Sequence, residues 1–171
     1  INDYGNQIIN FTESVFLRIR EIKYNEKFLI KKDLYPGEYI IEIGKKIINL
    51  NKEINFKNFE ESFELLKKES LKYSMELIKL DLKMLGIEHD NFFSETQLVE
   101  NKLVDKAVTL LKNNNYVLDG YLEPPKGERE AKKSWKKTKR LIFKSTLFGD
   151  DTDRAMQKND GSWTYFANDI A

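Results

Sequence analysis

The chain has no cysteine, one histidine and three prolines among its 171 residues. Without cysteine there is no disulfide framework and no thiolate zinc site, a composition that suits a reducing compartment. The single histidine, His89, excludes any signature that needs two histidines within this chain. No apolar run approaches the ~20 residues that span a bilayer, and residues 1–25 lack the pattern of a secretory signal. An excess of one charge is missing as well. The 29 Lys and Arg stand against 28 Asp and Glu, for a formal net charge of +1. A broad nucleic-acid field needs a basic excess, so only a local patch is left for that role. Phosphate-cradling loops of the GxxxxGK or GxGxxG kind are absent, and nothing repeats at a solenoid period.

What is present is 40% hydrophobic and 33% charged residues, enough for one domain with a true core, expected in the cytoplasm and away from membranes. Ile8, Phe11, Val15 and Ile19 predict a helix from about Gly5 to Glu21. Asp3 precedes it, where a carboxylate suits a helix N-terminus; the alternative is a loop side chain facing a ligand. Leu34-Tyr35-Pro36-Gly37 reads as a turn in an irregular connector. Ile40, Ile43 and Ile47 predict a helix over about Glu38 to Leu50. The next helix is announced by Asn58 with Glu61 three residues on, and stopped by Gly86. Its expected apolar face runs through Phe59, Phe63, Leu66, Met75, Ile78, Leu82 and Leu85. His89 falls in the following loop.

Asn91 to Ser94 reads as a short strand. Ser94 and Gln97 then open a helix with Leu98, Leu103, Ala107, Leu110 and Leu111 inward, ending at Asn113–Asn115. Helix, short strand, helix is the rhythm of a βαβ unit on a parallel sheet, so the fold class expected is α/β. Tyr116–Leu118 and Tyr121–Leu122 precede a Pro124-Pro125-Lys126-Gly127 turn, and Leu141–Phe143 completes a plausible antiparallel hairpin. Lys132 to Arg140, KKSWKKTKR, has the composition of a nucleic-acid contact, although short lysine runs are usually solvated loop.

The last third is richer in Gly, Asp, Ser and Thr. Asp150, Asp151 and Asp153 cluster beside Arg154, without the ligand spacing of a calcium loop and with no His or Cys for zinc; an ion-paired turn is expected instead. Asn159-Asp160-Gly161 signals a tight turn, and Ser162–Phe166 reads as a strand. Tyr165 and Asp169, four residues apart, could then reach one pocket at a strand end. A carboxylate with a phenol is a receptor for a guanidinium or ammonium. The plainer alternative makes Asp169 a helix cap and Tyr165 a core aromatic. The opening Ile and the unfinished TYFANDIA ending lead us to expect a piece of a longer protein.

Taken together and in order, INDYGNQ, LYPGEY, LKMLGIEHDNFFSE, LEPPKG, FKSTLFGDDTDR and KNDGSWTYFANDIA carry a resemblance. The chain resembles the catalytic domain of bacterial arginyl-tRNA synthetases, class I aminoacyl-tRNA synthetases, over essentially all its length. That resemblance implies a Rossmann-like core, with residues 1–115 in its first half, 116–158 as a β-rich connective insertion and 159–171 entering the second half. It implies a monomeric ligase that uses ATP and Mg2+ to activate L-arginine as arginyl-adenylate and transfers it to tRNA(Arg). Tyr165 and Asp169 match the residues that hold the arginine side chain. Asp3, Gly5 and Gln7 match a D-x-G-x-Q motif lining the active-site cleft. The HIGH-type and KMSK-type signatures would lie before Ile1 and after Ala171, so no catalytic residue or metal ligand is carried over and the chain alone is expected to be inactive. The competing expectation is a non-catalytic α/β module that binds RNA through the basic 132–140 segment.

Overall fold

The computed structural model describes residues 1–29, 31–122 and 138–171. The chain divides into two compact units, Ile1–Phe93 and Ser94–Ala171, each with its own core. The first contains three helices, α1 (Asn6–Tyr24), α2 (Glu38–Leu50) and α3 (Phe59–Met84). The apolar positions that predict α1 are all buried, and so are Ile40, Ile43 and Ile47 of α2. Gly44 shares that α2 face, where a Cβ would stand 3.4 Å from Ile19 Cγ1. Its missing side chain lets α1 and α2 approach closely. Phe11, Val15, Phe16, Ile19, Phe56, Leu66 and Tyr73 complete the core.

Both ends of α3 follow their sequence signals. The Asn58 side chain accepts a hydrogen bond from the Glu61 amide at 3.2 Å. At the other end Gly86 takes φ +73°, the Ile87 amide donates to Leu82 O at 2.9 Å and the Gly86 amide to Lys83 O at 3.0 Å. This is a complete left-handed helix stop, the conformation for which glycine has no Cβ penalty. The expected apolar face of α3 is only half covered. Leu66 and Tyr73 are buried, whereas Ile78, Met84 and Leu85 are exposed, Met84 to 86%. Periodicity marks an apolar stripe without saying how much of it this unit covers.

Polar side chains near the end of α1 clasp the loop before α3. Arg20 donates to the carbonyls of Phe56 (3.2 Å) and Lys57 (3.0 Å), Lys23 Nζ to Ile54 O at 2.6 Å, and the Tyr24 hydroxyl to Asn55 O. Phe56, fully buried, is held there at φ +49°, a region unfavourable to a residue with a Cβ. Arg20 also bonds Glu26, which keeps that carboxyl below its usual range.

The second unit carries α4 (Glu95–Glu100), α5 (Leu103–Asn113), β1 (Val117–Gly120), β2 (Arg140–Phe143), a 3₁₀ turn (Ser145–Phe148), β3 (Arg154–Ala155) and α6 (Tyr165–Ile170). The strands form one antiparallel sheet in the order β1-β2-β3, with Leu118 opposite Ile142 and Ile142 opposite Ala155. Val104 and Val108 of α5 pack with Val117, Leu141, Met156 and Ala167.

Several expectations are corrected. The single helix opened by Ser94 is two, because Lys102 takes φ +53° between α4 and α5. The break resets the helical phase, so Val104 and Val108 turn inward while Leu103 and Leu110 are exposed. Residues 91–94 form no strand. A strand persists only where neighbours satisfy its N–H and C=O groups, and the one bond here from a distant residue runs from the Ile1 amino group to Phe93 O. Tyr121–Leu122 lies beyond β1, and Ser162–Phe166 is a single bridge, Gln157 with Trp163, running into a helix. Every strand pairing among the described residues is antiparallel, so the fold is mixed helix and sheet with no parallel βαβ unit among them. The β1–β2 hairpin partners are as expected; the Pro124–Gly127 turn and Lys132–Lys137 lie outside the described residues. Among the described residues no helix is long and apolar enough to cross a membrane.

Ile43 is almost fully buried at the centre of the first core. Ile43→Ala should lower the unfolding free energy by about 2–5 kcal/mol in urea titration. A loss below about 1 kcal/mol would contradict this packing.

Candidate functional site

Within the first unit, the sequence-predicted Asp3 and Gln7 line a cavity of about 340 Å³. Asp3 precedes α1 and is 8% exposed. Gly5 takes φ +88° and starts α1 with no side-chain cap, so Gln7 falls in the first turn. This conformation, rather than open space alone, explains glycine at position 5: a Cβ there would meet nothing within 4 Å but would be strained by the positive φ. The cavity floor is Ile8 and Phe11 of α1 with Leu71, Met75 and Ile78 of α3.

Sequence reasoning missed Tyr35, Tyr39 and Ser74, which also line this cavity. Tyr35 packs edge-on against Phe11 at 5.5 Å between ring centroids, and its amide donates to Ser14 Oγ at 2.9 Å. The turn reading of Leu34–Gly37 was sound, but it gave no hint that the turn delivers two phenols to one cavity. Their spacing about Pro36-Gly37 was the available signal. Partial burial raises the Tyr39 hydroxyl above its ordinary pKa, with Tyr35 nearby adding to the effect. Met75, read as core stripe, turns its side to the cavity instead. His89 is an exposed loop residue, its ring 5.7 Å from that of Phe92.

In the second unit, Tyr165 and Asp169 lie one turn apart on α6, and both are exposed, Tyr165 to 55%. Tyr165 opens a helix instead of ending a strand, and the i, i+4 spacing still puts both side chains on one face. The plainer alternative for this pair fails on geometry. Thr164 is the N-cap, accepting from the Ala167 amide at 3.3 Å, and the residues that α6 buries are Ala167 and Asn168. Sequence reasoning also missed Lys158, whose Nζ lies 5.8 Å from the centre of the Tyr165 ring. The Asn159–Gly161 turn forms as expected: Gly161 takes φ +84°, and Asp160 accepts from both the amide (2.9 Å) and hydroxyl (2.6 Å) of Ser162. Those bonds hold the Asp160 carboxyl below its usual range.

The Asp-rich loop is an ion-paired turn. Arg154 grips Asp150 with two bonds, Nε–Oδ2 at 2.6 Å and Nη2–Oδ1 at 2.9 Å, a fork-to-fork geometry. Asp153 accepts from the amide (3.1 Å) and hydroxyl (2.7 Å) of Thr146, and Ser145 Oγ donates to Thr152 O at 2.7 Å. Among the described residues no three His, Cys, Asp or Glu side chains stand together as metal ligands. The Arg154 bonds hold Asp150 down at about 2. Since this lies below the ~3.9 of a free Asp, the pair stabilises the fold above about pH 4, and that contribution fades as pH falls through 2. The carboxyl carbon of Asp150 should therefore titrate near 2 by NMR, and Arg154→Met should return it towards about 4. A wild-type midpoint near 4 would contradict the pairing.

No protein-family model matches the chain. Over its whole length it is 53% identical to the arginine–tRNA ligase of Pelagibacter ubique, of which it covers 30%, and 47% identical to that of Ehrlichia chaffeensis, of which it covers 29%. A crystal structure from Campylobacter jejuni, assigned as an arginyl-tRNA synthetase, matches 98% of the chain with a TM-score of 0.72 at 25% identity, over 33% of that protein. The chain thus spans about 30% of the length of the curated relatives it matches. The resemblance read from the motifs therefore extends along the whole chain, and arginine–tRNA ligases are its relatives.

Proposed function

From this arginine–tRNA ligase relationship of the whole chain, we propose that the 171 residues are part of the catalytic domain of an arginine–tRNA ligase, a cytoplasmic enzyme with a Rossmann-like core. The full enzyme activates arginine with ATP and Mg2+ to arginyl-adenylate and transfers the arginyl group to tRNA(Arg). The observation that carries the reading is the 53% identity over every residue of the chain. The α6 geometry supports the assignment of roles. Asp169 supplies two acceptor oxygens for the paired N–H donors of a guanidinium, and Tyr165 adds a phenol on the same face. Asp3, Gly5 and Gln7 line the active-site cleft, Gly5 by allowing the turn that brings Gln7 beside Asp3.

Because no cluster of metal-ligating side chains is found among the described residues, no magnesium seat is assigned to this chain, and the ion is treated as a partner of ATP. The chain has one histidine, so a HIGH-type pair of histidines is not within it. Donors that stabilise the transferring phosphate are needed for adenylation. The 171 residues alone should therefore support no arginine-dependent ATP–pyrophosphate exchange; a rate above that of a mock preparation would refute this. In the full-length protein, Asp169→Ala should raise the arginine KM and lower kcat/KM strongly, because the bound guanidinium loses its counter-charge. A change below about threefold, under ~1 kcal/mol, would contradict the assigned role. The basic 132–140 segment gains no support as a free-standing RNA module, since most of it lies outside the described residues.

A further inference from the structure

We infer that the first unit's cavity, at Asp3, Gln7, Tyr35 and Tyr39, receives a purine nucleoside, with its phosphates left outside. This rests on the ligase reading, which supplies two groups of that chemistry: the adenosine of ATP and the 3′-terminal adenosine of tRNA.

Size and lining carry the inference. At about 340 Å³ the cavity falls within the ~300–1,000 Å³ range of small-molecule sites. None of its lining residues is Lys, Arg or His, and one is a carboxylate. Such a lining offers a phosphate or carboxylate no counter-charge, so it selects against the anionic parts of all three substrates. Aromatic and thioether walls, from Phe11, Tyr35, Tyr39, Phe92 and Met75, present surfaces on which a flat ring stacks, an interaction worth about 1–3 kcal/mol per base. Asp3 and Gln7 bring the hydrogen-bonding groups that a base edge requires; a glutamine amide matches the adjacent donor and acceptor of adenine N6 and N7. A purely apolar ligand would leave these polar groups desolvated without return. Arginine itself would use Asp3 but waste the aromatic walls, and its guanidinium already has a receptor of matching chemistry in Tyr165 and Asp169.

The test uses the full-length protein. Adenosine should shift the Met75 methyl signal saturably in NMR spectra, and arginine should not; this readout needs no catalytic activity. Ser74→Phe, which fills the cavity, should abolish the adenosine shift and raise one KM at least tenfold. A raised tRNA KM with an unchanged ATP KM identifies the terminal nucleoside of tRNA as the occupant, and the reverse identifies ATP. Tyr39→Ala, which removes a stacking wall without adding bulk, should weaken adenosine binding in the same way if Ser74→Phe fails to fold. Absence of any Met75 shift with adenosine overturns the inference, as does a shift produced by arginine alone. If the wild-type protein forms no arginyl-tRNA, the ligase reading fails by itself, and the Met75 titration still decides the nucleoside question.

Discussion

The hydroxyl of Thr164 sets the geometry on which the proposed arginine receptor depends. It donates to Ala155 O at 2.9 Å and accepts from the Ala167 amide at 3.3 Å, while the Thr164 amide donates to Met156 O at 3.1 Å. One residue therefore joins the end of β3 to the start of α6 and fixes where the helix begins. Starting at Tyr165, the helix buries Ala167 and Asn168 and leaves Tyr165 and Asp169 outward. A start displaced by one residue would turn the helix by about 100° and move the carboxylate away from the phenol. A helix this short has little intrinsic stability, so its cap and its burial against Met156 and Trp163 have to supply the order.

A related economy governs the first unit. α1 contributes core residues at its centre, a cavity wall at its first turn and a clasp at its last. Arg20 and Lys23 spend their charge on loop carbonyls, holding Phe56 in the core at a backbone angle it would not choose alone. The Asp150–Arg154 fork does comparable work in the second unit, closing the loop between the 3₁₀ turn and β3. Neither arrangement performs chemistry, but each fixes backbone next to residues assigned a role.

Local signals in the sequence were read well where the physics is local. α2 occupies the residues its isoleucine spacing predicts, Asn58 caps α3, Gly86 ends it, and Leu141–Phe143 pairs with the Val117 strand. Failures arose where a partner or a neighbouring turn decides. The phase of α5 depends on a left-handed Lys102 that no composition rule picks out. The apolar Asn91–Ser94 segment has the residues of a strand and lacks the neighbours of one. Tyr165 and Asp169 were found through their chemistry and the resemblance, and their common face survived a change from strand to helix because four residues make nearly one helical turn. Tyr35 and Tyr39 escaped notice because a cavity is a property of three helices at once.

The central claim is that a carboxylate on α6 recognises a guanidinium in the course of tRNA charging. Its most direct test compares arginine with citrulline, which keeps the shape and loses the charge, as substrates of the full-length protein. Wild type should favour arginine in kcat/KM by several orders of magnitude, and Asp169→Asn should shrink that ratio sharply by losing arginine activity. An unchanged ratio in Asp169→Asn, or no arginine-dependent charging of tRNA by the wild type, would contradict the account.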